Sequence, residues 1–179
     1  MSSVVTSNPP PNGSAAVPTD TNAGTQASSS AESLAETLAD LLAERDIRHT
    51  LARFATVLDT RAWDRLNEVY APDGLAVYGE HRAQGFAALE KHFRAFLGGC
   101  GPSQHLLGNI EIHVTGTTAT SRAAVCASHR ALGANDPREF IARGNYHASW
   151  QRLPVGWRIA KWEWENGWFS GDYSVLQPG

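Results

Sequence analysis

Apolar residues recur at threes and fours through Leu34, Leu38, Leu41, Leu42, Ile47, Leu51, Phe54 and Leu58, the spacing of one helix face. Ser33 reads as an N-cap, and Glu36 three residues on completes a capping box. This long element is expected to break near Arg45–Asp46. A second short helix is predicted from Arg61 to Tyr70, stopped by the turn signal Ala71-Pro72-Asp73-Gly74. Leu75–Tyr78 reads as a short strand. Gly85 to Leu97 is a third helix, with Phe86, Leu89, Phe93, Phe96 and Leu97 on one side and Gly98-Gly99 closing it.

From His105 onward the period changes to strict alternation. Ile110, Ile112 and Val114 alternate with Asn109, Glu111 and His113 up to a turn at Thr115-Gly116-Thr117. Further strands are predicted over Thr118–Leu132, Glu139–Leu153 and Trp157–Trp164, separated by Gly133-Ala134-Asn135-Asp136-Pro137 and Pro154-Val155-Gly156. Helices first and sheet second define an α+β fold. The expected shape is a cone-shaped barrel, a curved antiparallel sheet wrapped around the N-terminal helices, whose interior is a natural small-molecule pocket. The outer face of the sheet is the expected surface for a homo-oligomer, a dimer or trimer.

Composition narrows the partners. Of the 179 residues 42% are hydrophobic and 18% charged, with six Trp, six Phe and four Tyr, which is enough apolar bulk for one core. Fifteen Lys and Arg against eighteen Asp and Glu leave a net charge of −3 and no basic field for a nucleic-acid backbone or an anionic membrane. The first thirty residues are Ser/Thr/Pro-rich, carry Asp20 as their only charge and hold no aromatic. They are expected to form a disordered tail over 1–30, with the folded domain over 31–179. Cys100 and Cys126 make neither a disulfide framework nor a Cys-x-x-Cys site. No run approaches a membrane span, and Met1-Ser2-Ser3-Val4-Val5-Thr6 lacks the features of a secretory signal, so a cytoplasmic location is expected.

Three residues stand out chemically. Asp59 follows Leu58 at the C-terminal end of the first helix, where exposed carbonyls disfavour a carboxylate; it is either a functional acid/base group or, with Thr60, a cap for the next helix. His105 opens a strand after Gly101-Pro102-Ser103-Gln104, and His129 shares a strand face with Val125 and Ala127. Imidazoles titrate near neutral pH, so each is a candidate base or acid as well as a candidate structural residue. His49, His81, His92, His113 and His147 read as surface residues. No His-x-x-x-His or Glu-x-x-His spacing supports a metal, and no phosphate loop or Gly-x-Ser-x-Gly elbow is present, so neither cofactor nor metal is expected. Trp157, Trp162, Trp164, Trp168 and Phe169 are either core or the wall of a site for a ring-shaped ligand.

Taken in order, five stretches resemble the nuclear-transport-factor-2-like superfamily, and within it the SnoaL-like and scytalone-dehydratase-like enzymes. They are Phe54–Pro72 with Asp59 and Trp63-Asp64-Arg65-Leu66, Leu75–Tyr78, Gln104-His105, Ala127-Ser128-His129-Arg130, and Gly156-Trp157-Arg158-Ile159. The resemblance implies that Asp59 polarises His105, and that His105 removes a proton beside a leaving group. It further implies that His129 is a second catalytic histidine, that Tyr78 holds water or a substrate oxygen, and that Asn145 is a polar contact. Phe54 and Leu58 stand where related dehydratases carry tyrosines, and Arg143 where a small polar residue is expected. The expected wall draws on Phe54, Trp63, Tyr78, Phe86, Phe93, Val125, Tyr146 and Trp162 or Trp164. The implied activity is a dehydratase-like lyase acting on a small hydrophobic ring compound. A cyclase or isomerase of a polyketide, terpenoid or steroid, and a non-catalytic binding or small-subunit module, are alternatives on the same fold.

Overall fold

The computed structural model describes Met1, Ser3 and residues 21–176, with helix side chains from Ser30 onward. The chain divides into two units, Met1–Glu36 and Thr37–Gly179, and the sheet, its core and the candidate site all belong to the second. Helix α1 (Thr21–Thr60) is followed by a 3-10 helix over Trp63–Glu68, strands β1 (Tyr70–Tyr78) and β2 (His81–Gln84), and helix α2 (Phe86–Leu97). Then come β3 (Ser103–Thr115), β4 (Thr118–Arg130), β5 (Glu139–Leu153), β6 (Gly156–Gly171) and a final 3-10 turn over Tyr173–Leu176.

Several boundaries differ from the pattern reading. α1 begins at Thr21, not at Ser33, because adding a residue to a formed helix is far easier than nucleating one; of the expected tail, residues 2 and 4–20 lie outside the described residues. No break occurs at Arg45–Asp46, whose charges pair with each other at 2.8 Å on the exposed side. Only the C-terminal half of the apolar stripe is covered: Ile47, Leu51, Phe54 and Leu58 are buried, while Leu34, Leu38, Leu41 and Leu42 are exposed. Ala71-Pro72-Asp73-Gly74 is no chain reversal but an irregular stretch inside β1, where the pairing with β6 jumps between Tyr70 and Leu75. Gly74 is required there, since a Cβ would lie 2.9 Å from the Ile159 carbonyl oxygen.

The strands form a six-stranded sheet in the order β2-β1-β6-β5-β4-β3. The fold is α+β as expected, but the sheet is open and mixed: β1 runs parallel to β6, with Leu75 opposite Lys161 and Tyr78 opposite Trp164, and every other pair is antiparallel. One face of the sheet packs on α1 and α2. Phe54 is fully buried there, its ring centroid 4.2 Å from Trp162, 5.9 Å from Tyr146 and 6.2 Å from Phe93.

α1 ends through an uncommon residue. Arg61 has φ +53°, its N–H bonds the Leu58 carbonyl, and the Ala62 N–H reaches back to Val57 at 3.0 Å. This is the Schellman pattern, whose left-handed position is usually glycine; a residue with a Cβ there costs about 1–3 kcal/mol unless its surroundings hold it.

Because Phe54 links helix to sheet through aromatic contacts on every side, Phe54→Ala is expected to lower unfolding stability by about 3–5 kcal/mol. Urea denaturation followed by tryptophan fluorescence measures this, and a loss below 1 kcal/mol would mean that the helix–sheet core is not organised around this ring.

Candidate active site

The end of α1 brings Asp59 to the start of β3. One carboxylate oxygen lies 2.6 Å from Nδ1 of His105, and the other accepts the backbone N–H of His105 at 3.0 Å. The two bonds fix both the carboxylate and the ring. A carboxylate accepts, so Nδ1 carries the proton of neutral His105 and Nε2 keeps its lone pair. The imidazole is almost wholly buried, at 5% exposure, while Asp59 keeps 23% through a shallow outer groove shared with Gln104 and Leu107.

His129 enters from β4. Ser103 is paired directly across from it, and Ser103 Oγ lies 3.0 Å from its Nδ1. Because His105 follows Ser103 by two residues, both imidazoles occupy the same face, with ring centroids 5.4 Å apart at 73°. Burial first, then the neighbouring His105 and Arg61, lower the pKa of His129 to about 4, so it is neutral at pH 7. The Arg61 guanidinium lies behind this corner: Nη2 donates to the Gly101 carbonyl at 2.6 Å and to Ser103 Oγ at 2.9 Å, and Nε donates to Leu97.

His105 and His129 open onto a cavity of about 370 Å³ between α2 and the concave sheet. Its wall includes Tyr78, Phe93, Phe96, Tyr146, Trp164 and Phe169, and among the described residues it carries no lysine, arginine, aspartate or glutamate. Burial raises the Tyr78 and Tyr146 hydroxyls well above the ordinary tyrosine value, which keeps both as neutral donors. Among the described residues no three His, Cys, Asp or Glu side chains converge in a metal-holding arrangement.

The structure sorts the sequence candidates. His105, His129, Tyr78 and Tyr146 line the cavity; Asp59 does not, and touches it only through His105. Phe54, Trp63 and Trp162 are buried in the core behind the wall, Trp63 stacked 6.2 Å from Phe93. Val125 is likewise core, and Phe86 is exposed at the start of α2. Asn145 is on the opposite face of β5 from Tyr146, donating to Glu165 at 3.0 Å, since adjacent strand residues point to opposite sides. Arg143 also lies away from the cavity, its guanidinium 5.8 Å from the Trp168 ring. His81 is exposed, as expected, and lines the cavity beside His92, which is half-buried rather than at the surface; burial, then His81, lowers the pKa of His92. Ser103 and Arg61, neither singled out by spacing, complete the histidine corner.

Residues 39–163 match the SnoaL-like domain, and the chain belongs to that family. An uncharacterized protein of Mycobacterium tuberculosis (strain ATCC 25618 / H37Rv) is 27% identical over 121 residues, spanning 65% of this chain and 80% of its own. Among solved structures, a nuclear-transport-factor-2-like protein with a cystatin-like fold from Novosphingobium aromaticivorans is 26% identical, with a TM-score of 0.60 over 74% of this chain and 87% of its own. A candidate scytalone dehydratase from Novosphingobium aromaticivorans DSM 12444 superposes with a TM-score of 0.69 at 21% identity, covering 79% of this chain and 96% of its own. A hexachlorocyclohexane dehydrochlorinase does so with 0.62 at 16% identity, covering 76% and 90%. The last two likenesses speak to the fold.

The His129 environment generates a pH prediction. Its folded pKa of about 4 lies below the ordinary 6.5, so between those values the unfolded chain binds a proton that the folded chain refuses. Stability is therefore expected to fall as pH drops from about 6.5 toward 4, and part of that fall should vanish in His129→Gln. An NMR titration placing the His129 midpoint at 6.5 or higher would contradict this burial.

Proposed function

We propose that the protein is a lyase that eliminates across a carbon–carbon bond of a small hydrophobic ring compound, with His105 as base. The observation that carries this is the 2.6 Å contact that ties His105 Nδ1 to Asp59 and leaves Nε2 to an apolar cavity. His105 Nε2 takes a proton from carbon, the electron pair of that C–H bond becomes the new double bond, and the leaving group departs from the neighbouring carbon with its own pair. A departing hydroxyl leaves as water by taking that same proton back from the His105 imidazolium, which returns His105 to its starting neutral form. Asp59 is a positioning residue: it holds the tautomer and stabilises the imidazolium that forms, as a buried carboxylate does behind other catalytic histidines. His129 and Tyr78, both neutral, donate hydrogen bonds to the oxygen on which negative charge grows. Those bonds are strengthened by a wall that excludes water.

The likeness to a candidate scytalone dehydratase and to a dehydrochlorinase supports proton abstraction beside a leaving group. Cyclisation or isomerisation of a polyketide, terpenoid or steroid uses the same base and the same oxygen contacts. The neutral state of His129 favours that second reading where no leaving group must be fully protonated. A binding module without chemistry has no need of the ordered Asp59–His105 pair.

Product analysis of the purified protein with ring-hydroxylated and β-hydroxyketone compounds tests the reading. Turnover is expected to fall by about 10²–10⁴ in His105→Ala and in Asp59→Asn, and by less in His129→Ala, with folding intact. Full turnover in His105→Ala, or activity lost to a chelator and restored by metal, would overturn it. Tight ligand binding with no product would favour the binding module.

A further inference from the structure

We infer that Arg61 and Ser103 are positioning residues that fix the tautomer of His129, holding Nδ1 as an acceptor and Nε2–H as the donor offered to the cavity. The tautomer follows from the hydrogen bonds whatever the reaction; its consequence for catalysis rests on the proposed lyase reading.

A guanidinium has donors and no acceptor. Nη2 of Arg61 faces the Gly101 carbonyl at 2.6 Å, Ser103 Oγ at 2.9 Å, Cys100 Sγ at 3.0 Å and the Cys100 carbonyl at 3.3 Å; its two N–H groups go to the two nearest oxygens, and because a guanidinium only donates, Ser103 accepts from Arg61. The serine then has one proton of its own to give. Its choices are His129 Nδ1 at 3.0 Å and Cys100 Sγ at 3.6 Å. Sulfur is the weaker acceptor, the distance is long, and Cys100 already faces the Arg61 guanidinium at 3.0 Å. The hydroxyl proton therefore goes to Nδ1, and a neutral ring that accepts at Nδ1 carries its proton on Nε2. The reverse arrangement, Nδ1–H donating to serine, would keep that 3.0 Å contact but leave the serine proton only the long contact to sulfur.

His105 is fixed the other way, since its Nδ1 faces a carboxylate. Two imidazoles on one strand face thus present opposite polarity: a lone pair on His105 Nε2 and a proton on His129 Nε2. In the proposed elimination that places a base beside a hydrogen-bond donor. With the other His129 tautomer, two lone pairs would meet the developing negative oxygen. The same contacts also account for the left-handed backbone of Arg61, because its side chain is held by carbonyls from Asp59, Leu97 and Gly101 while the helix ends beneath it.

Nitrogen-15 NMR of histidine-labelled, substrate-free protein reads both tautomers directly. In the unmodified chain His129 is expected to show an unprotonated Nδ1 and a protonated Nε2, and His105 the reverse. Ser103→Ala should move the His129 nitrogens toward a mixture of tautomers while leaving His105 unchanged, and Ser103→Thr, which keeps the hydroxyl, should restore the original pattern. Arg61→Met should shift His129 in the same direction, because the serine oxygen, no longer accepting from the guanidinium, is free to accept from Nδ1–H. A proton on His129 Nδ1 in the unmodified chain overturns the inference even if the variants fail to fold. An unaltered His129 in folded Ser103→Ala overturns it as well. No substrate is present, so the outcome is separate from whether the chain proves to be a lyase.

Discussion

The end of α1 against the first residues of β3 is the constraint on which the site depends. Asp59 sits on the last turn, Arg61 just past it, and the two side chains reach the same short stretch of chain from opposite sides of the helix end. Asp59 takes the ring and backbone of His105, while Arg61 takes the Leu97, Cys100 and Gly101 carbonyls together with Ser103. Losing register by one residue would carry the carboxylate off the imidazole, because neighbouring helix positions lie about 100° apart. The strain of a left-handed arginine is local, whereas the order it imposes spans the loop between α2 and β3. A helix terminus that would otherwise leave carbonyls unsatisfied thus becomes the anchor for two histidines.

Much of this was legible in the chain. Periodicity located α2 and the four long strands because amphipathic faces of ten or more residues leave a clear signal. The ends of α1 and β1 were less so, since Thr21–Ser30 has no apolar face and Pro72-Asp73-Gly74 carries turn residues within a strand. The parallel pairing of β1 with β6 joins segments more than eighty residues apart in the chain, and no local pattern records such a pairing. The Asp59–His105 contact was accessible only through resemblance, whereas residue chemistry alone left Asp59 equally well described as a cap.

The misplaced wall residues have two separate causes. Aromatic bulk at Phe54, Trp63 and Trp162 suits a ligand wall, but bulk is also what fills the space between a helix and a curved sheet, and these three rings are buried there. Asn145 and Tyr146 cannot both face the cavity, because adjacent strand residues point to opposite sides. His92 likewise had its signal: Leu89, His92 and Phe96 are spaced at three and four, which puts the imidazole on the apolar side of α2. Nothing local marks Arg61 or Ser103, whose roles exist only once α1, the α2–β3 loop and β4 have come together.

The arrangement of charge follows from the same assembly. Among the described residues the cavity wall holds four imidazoles and no carboxylate, ammonium or guanidinium, yet the Asp59 carboxylate stands behind His105 and the Arg61 guanidinium, through Ser103, behind His129. Each formal charge therefore reaches the cavity through a neutral ring. A bare carboxylate or guanidinium facing an apolar interior would carry a desolvation penalty of several kcal/mol, whereas at the edge of the fold Asp59 retains solvent and Arg61 spends its protons on carbonyls. What passes through is orientation: which nitrogen holds the proton, and which holds the lone pair. Among the described residues the wall is therefore uncharged yet differs in polarity between adjacent points, a lone pair at one imidazole and a proton at the next.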